Sequence, residues 1–186
     1  MEFVYVILII LAVLVLYLIS VYNRLRRLKL GVAESFAAMD VFLKKRYDLI
    51  PNLVATVKGY AGHEKEVFEN TAQARSQAMA ARTTEEKVQA NNALAESLSQ
   101  MIIIAEDYPE LKADGSFLKL QHQLEDVEKD IANSRLYYNG NVKLYNSNIQ
   151  TFPQVLIAGP FGFTQEPFFE ALASERVSTQ VFGDDA

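Results

Sequence analysis

The chain has 186 residues, 50% of them hydrophobic, no cysteine, and 18 Lys and Arg against 23 Asp and Glu for a formal charge of −5. Without cysteine there is no disulfide, thiol nucleophile, iron–sulfur cluster, cysteine-ligated zinc or sulfur-linked lipid. Setting aside Glu2 and the four cations Arg24, Arg26, Arg27 and Lys29 takes the balance from 18 against 23 to 14 against 22; so acidic a remainder repels nucleic-acid phosphates, and no nucleic-acid partner is expected.

Residues 3–22, FVYVILIILAVLVLYLISVY, form an unbroken uncharged run that ends in Asn23-Arg24-Leu25-Arg26-Arg27-Leu28-Lys29. A helix rising ~1.5 Å per residue carries such a run across the ~30 Å hydrocarbon core of a bilayer. A secretory leader places its cations before a shorter apolar stretch and ends in small residues. Here the early charge is Glu2, and Tyr22-Asn23-Arg24 stands where cleavage would fall. The expected reading is a retained single-pass anchor, with an uncleaved signal-like segment or a buried core helix as alternatives. Tyr5, Tyr17 and Tyr22 lie toward the ends of the run, where aromatic rings with polar tips favour the interface. The collar Arg24, Arg26, Arg27 and Lys29 places the N-terminus outside and the rest in the cytoplasm, with the cations on anionic headgroups. The two-residue tail before the run leaves little to translocate.

About 160 residues follow, enough for one domain with a sizeable core, and their apolar period is helical. Leu25, Leu28, Val32, Phe36, Met39, Leu43, Tyr47, Ile50, Val54 and Val57 step by three or four, so the membrane helix is expected to continue directly into the domain. Pro51 predicts a kink or a restart, because its ring lacks an N–H and collides with the Tyr47 carbonyl. Gly59 and Gly62 predict a break. A second helix is expected over 63–81 with Val67, Thr71, Ala74 and Ala78 on one stripe. Thr83-Thr84-Glu85-Glu86 reads as a capping box that opens a third helix over 84–106, with Leu94, Leu98, Met101 and Ala105 inward. Asp107-Tyr108-Pro109 stops it.

Asp114-Gly115-Ser116 turns into what the pattern predicts as the longest helix, 115–149, with Phe117, Leu120, Leu124, Val127, Ile131, Ser134, Tyr138, Val142, Tyr145 and Ile149 inward. The fold class is therefore all-α: an anchor over 1–23, an antiparallel four-helix bundle over 24–150, and an apolar, aromatic tail over 151–186. The tail is expected to hold a short helix over 167–173 and a disordered acidic end. Phe152, Phe161, Phe163, Phe168 and Phe169 make it too apolar for a solvated linker, so it packs on the bundle, the membrane surface or another copy. These five are candidate assembly contacts.

The string 43–54, LKKRYDLIPNLV, and 57–64, VKGYAGHE, resembles the LemA family. Tyr22-Asn23, Ala74-Arg75, Tyr108-Pro109-Glu110-Leu111-Lys112-Ala113, Glu128, Ile131-Ala132, Arg135, Tyr138-Asn139, Tyr145-Asn146 and Phe152-Pro153 extend the likeness, and Gly162-Phe163 with Phe168-Phe169 carries it to about residue 170. Gly115-Ser116 departs from the more polar residues usual there, and the last dozen residues match nothing. The resemblance implies a bacterial inner-membrane protein with one N-terminal anchor and a cytoplasmic bundle, linked to envelope or membrane organisation and without enzymatic activity.

The patterns in this sequence that could carry chemistry have plainer readings. A di-iron bundle needs Glu-x-x-His twice; Tyr60 and Lys119 stand three residues before His63 and His122. His63-Glu64 lacks the further ligands zinc needs and reads better as a helix start, with Glu64, Glu66 and Glu69 complementing the dipole. No nucleophile elbow or phosphate loop is present. No cofactor, metal or catalytic residue is expected. The polar motif residues Arg46, Asp48, Lys58, His63, Glu64, Arg75, Glu128, Arg135, Tyr138, Asn139, Tyr145 and Asn146 have two open readings: buried pairs that fix helix register, or a docking surface for a partner or another copy. The functional expectation is a membrane-tethered scaffold, a homo-oligomer resting on the lipid bilayer. The alternative is an adaptor or regulator bound to a membrane-protein partner such as a protease or envelope enzyme.

Overall fold

The structure is a computed structural model describing residues 1–169. Its elements are α1 (Glu2–Tyr60), α2 (Lys65–Ala80), α3 (Thr84–Glu106), α4 (Pro109–Lys112), α5 (Gly115–Gln150) and α6 (Val155–Ala158), with no strand among the described residues. The chain is all-α, as its periodicity predicts. With 59 residues α1 is longer than the 36-residue α5, which reverses the expectation that the helix after Asp114 would be the longest. The reason is that nothing between the apolar run and Tyr60 stops the helix.

Pro51 does not break α1. A helical proline removes the donor that would reach the carbonyl four residues back, here that of Tyr47. Arg75 on α2 supplies the missing bond: its Nε donates to the Tyr47 carbonyl at 2.7 Å. The break falls where Gly59 and Gly62 place it, at the end of α1.

α3 opens with the predicted capping box. Thr83 Oγ1 accepts from the Glu86 N–H at 3.1 Å, and Glu86 Oε2 accepts from the N–H groups of Thr83 and Arg82. These charged bonds hold the Glu86 carboxyl below its ordinary pKa, the Arg82 N–H contributing most. α5 opens on Asp114, whose Oδ1 accepts from Ser116 and Phe117 N–H at 2.8 and 2.9 Å. α4 and α6 are short turns the sequence reading did not anticipate. Residues 167–169 are not helical, and the rest of the helix expected over 167–173, with the acidic end, lies outside the described residues.

The chain divides into two compact units. The first takes Met1–Phe42 and Asp130–Phe168. Within it α1 and α5 run antiparallel: the Phe36 and Tyr138 rings meet edge-on at 5.4 Å, and a Cβ at Gly31 would lie 3.8 Å from Asn141 Oδ1. Over 3–20 the apolar side chains of α1 are exposed, while Val21, Leu25 and Val32 are buried. The described chain thus holds one helix long and apolar enough to cross a membrane, and its packed face begins inside the last turn of the apolar run.

The second unit takes Leu43–Lys129, with Phe169. In it Leu43, Ile50, Leu53 and Val57 of α1 are buried, as are Phe68, Thr71, Ala74 and Ala78 of α2 and the expected stripe Leu94, Leu98, Met101 and Ala105 of α3. Leu111 of α4 and Phe117, Leu124 and Val127 of α5 are buried too. α2 packs closely on α3, where the small Ala74 and Ala78 allow the backbones to approach.

Candidate functional site

Two clusters gather five of the twelve polar motif residues. In the second unit Arg46, only 3% exposed, sends Nη1 to Glu128 Oε1 at 2.8 Å and Nη2 to Asn91 Oδ1. The Tyr47 hydroxyl donates to the same Asn91 oxygen at 2.9 Å, and Asn91 Nδ2 donates back to the Lys87 carbonyl at 2.8 Å. One guanidinium therefore joins α1, α3 and α5. Glu128 is 46% exposed on its side chain, so the pair is dry on one side and wet on the other. Arg46 Nε is buried and has no hydrogen-bond partner among the described residues. Removing a charge from water costs several kcal/mol unless it is paired and hydrogen-bonded, so this site tolerates little displacement of the three helices.

In the first unit the chain after α6 lies along α5. Tyr138 Oη donates to the Pro167 carbonyl at 2.8 Å and Tyr145 Oη to the Thr164 carbonyl at 2.9 Å. Asn146 grips Glu166 on both sides: its Nδ2 donates to the Glu166 carbonyl at 2.8 Å, and its Oδ1 accepts the Glu166 N–H at 2.9 Å. The spacing follows from two pitches. Seven helical residues rise ~10.5 Å and three extended residues span ~10 Å, so two tyrosines seven apart on α5 meet carbonyls three apart on the tail. The contacts reach backbone, so the recognition lies in the helix side chains more than in the tail side chains. Lys29 Nζ adds an ion pair to Glu166 at 3.4 Å, and Tyr22 of α1 meets the rings of Phe161 and Phe163 edge-on at 5.4 and 5.6 Å. Burial, with the Glu166 charge nearby, raises the Tyr145 hydroxyl pKa, keeping it a neutral donor.

The other sequence-selected residues scatter. Asp48 faces solvent beside Lys44 at 3.9 Å, and Lys58 and His63 are exposed. Glu64 is the residue before α2 and makes no side-chain cap, while Glu66 holds the acidic position of the first turn. Arg135 and Asn139 are half-buried in the first unit, whereas Glu128 belongs to the second. Phe163 and Phe169 are buried within the chain, and Phe152, Phe161 and Phe168 are exposed. Among the described residues no three His, Asp or Glu side chains gather as a metal site.

The family model for LemA matches residues 35–182. The chain belongs to the LemA family. The match begins beyond the apolar run, so Tyr22-Asn23 falls outside it, and it extends past residue 170 into the segment that the sequence reading left without resemblance. A comparison with curated proteins gives no match.

Sequence reasoning missed Asn91, Tyr47 as a polar group, and the pairing of Lys29 with Glu166 in these LemA clusters. Asn91 had a usable signal, since it stands one turn before Leu94 on an inward apolar stripe, and an amide there must find a buried partner. Lys29 had none, because its position in the basic collar accounted for it fully.

Proposed function

We propose that this LemA-family chain is a non-enzymatic structural protein, anchored by residues 3–22 in a bacterial membrane with its N-terminus outside, that self-assembles on the cytoplasmic face. The observation that carries the reading is on α5 of the first unit. Tyr137 and Leu144, two turns apart on one face, are 65% and 50% exposed, and neighbouring Leu136 is 72% exposed. On this reading these side chains, on a helix ordered by its other face, are the apolar surface that a second copy covers. The unbroken α1 supports it, because a surface joined without a linker to a membrane helix is held at fixed height and presented to identical neighbours in the same plane. On this reading the Arg46 network sets helix register, and the hold of Tyr138, Tyr145 and Asn146 on the tail finishes the folded unit.

The test is particle size of the full chain in lipid nanodiscs and gentle detergent across concentrations. Assemblies larger than one chain are expected, and Leu136→Ser with Leu144→Ser should shift them toward the monomer while helicity is kept. A wild-type chain that stays monomeric throughout sinks the assembly reading. Crosslinks in native membranes that join the chain to another protein in near-equal amounts, with no self-crosslinks, would move the assignment to an adaptor.

A further inference from the structure

The apolar residues around α6 take no part in the hydrogen bonds that hold the tail on α5. Phe152, Leu156 and Phe161 are 79%, 65% and 61% exposed, and Val155 is 43% exposed. Their height relative to the anchor follows from the register of the first unit. Phe36 faces Tyr138 and Gly31 approaches Asn141, so each step back along α1 answers about one step forward along α5. Extending that pairing brings the end of α5 level with roughly residues 22–24 of α1. α6 comes after that end, and Phe161 touches Tyr22 at 5.4 Å. Leu18, Ile19, Tyr22 and Phe161 together line an open, almost wholly apolar hollow of about 290 Å³. Leu18 and Ile19 lie within the apolar run, so the hollow is continuous with the surface that the anchor turns to lipid. The next residues of α1 include the exposed cations Arg24, Arg26 and Arg27.

We propose that residues 152–161 form a second membrane contact, an apolar foot that enters the boundary between headgroups and acyl chains beside the anchor and seats an acyl chain against Leu18, Ile19, Tyr22 and Phe161. Three features select lipid as the occupant. The foot lies at the height where the apolar run ends, its hollow is continued by span residues, and the cations one turn above suit anionic headgroups. Water at that height would meet four exposed apolar side chains on one short segment. The ion pair of Lys29 with Glu166 and the backbone grip of α5 on the tail fix the foot to the helix pair, so it moves with the anchor.

This inference rests on the anchoring reading, and the experiment separates the two. The chain contains no tryptophan, so a single introduced indole reports one place. Full-length Leu11→Trp, Phe152→Trp, Leu156→Trp and Leu136→Trp are reconstituted into phosphatidylcholine–phosphatidylglycerol vesicles whose acyl chains are brominated near the headgroup or near mid-chain. Phe152→Trp and Leu156→Trp should emit to the blue and lose most of their intensity to the shallow bromines. Leu11→Trp should respond to the deep ones and Leu136→Trp to neither. If Leu11→Trp is quenched while both foot indoles answer to aqueous iodide and ignore the bromines, the foot is not in lipid and the proposal is overturned with the anchor intact. Foot indoles that are blue-shifted, unquenched by bromine and exposed on dilution into excess lipid are covered by a second copy, which also overturns it. An unquenched Leu11→Trp removes the anchoring reading and this inference together.

Discussion

Arg75 and Pro51 are a pair at the scale of single residues. Proline in the middle of a helix costs about 3 kcal/mol, partly through the orphaned carbonyl four residues back. In this chain that carbonyl, on Tyr47, accepts from Arg75 Nε across the gap between two helices. Arg75→Ala should therefore destabilise the full chain by about 1–3 kcal/mol, the cost of leaving a buried acceptor unmet. Pro51→Ala should stabilise more in the Arg75→Ala background than in the wild type, because it returns an N–H to the orphaned carbonyl. Denaturation of the four chains in one detergent measures this coupling; additive effects would assign Arg75 another purpose. Pro51 and Arg75 were both visible in the sequence. Their relation was not, since it spans two helices and depends on a side chain meeting a backbone atom.

At the scale of elements, local signals are the most legible in the sequence. The capping box of α3 and the stop at Gly59 and Gly62 depend on residues within one turn of one another, so the sequence displays both partners. The α3 start also carries a pH dependence. Glu86 is held below its ordinary pKa by the N–H groups of Arg82 and Thr83. A depressed carboxylate adds stability above its unfolded value, about 4.3, and loses it as pH falls through the lower folded value. Hydrogen exchange over the first turn of α3 should show greater protection in wild type than in Glu86→Gln at neutral pH, with the gap closing under acid. Thr83→Ala should cost about 1 kcal/mol in helix stability, with little dependence on pH. An unchanged gap from neutral to acid pH would show that the Glu86 charge takes no part in the cap. The tail behaved differently. Its aromatic content predicts packing somewhere, yet the match of helix rise to strand rise that seats it on Tyr138 and Tyr145 appears only when the two segments are placed side by side.

For the whole molecule, the continuity of α1 is the feature with the largest consequence. The apolar run passes into the buried positions Val21, Leu25 and Val32 without a linker, and the packed face begins before the basic collar. A flexible Gly-Ser insert after Lys29 would move Lys29 and Tyr22 out of register with Glu166, Phe161 and Phe163 on the tail. Such an insert should increase proteolysis of the tail and lower its hydrogen-exchange protection, while the capping box of α3 in the second unit should be untouched. A tail as protected as in wild type would make the run a simple tether.

Helix type, most helix limits, the inward stripes and the membership of the LemA family were determined by the sequence itself, because each rests on periodicity, capping or residue strings within a short span of chain. Tertiary structure alone decided that Pro51 is tolerated, that Asn91 and Glu128 share the Arg46 guanidinium, and that the tail returns beside the end of the apolar run. Those outcomes depend on distances between residues from about 20 to 140 positions apart, and one-dimensional pattern carries no term for such distances.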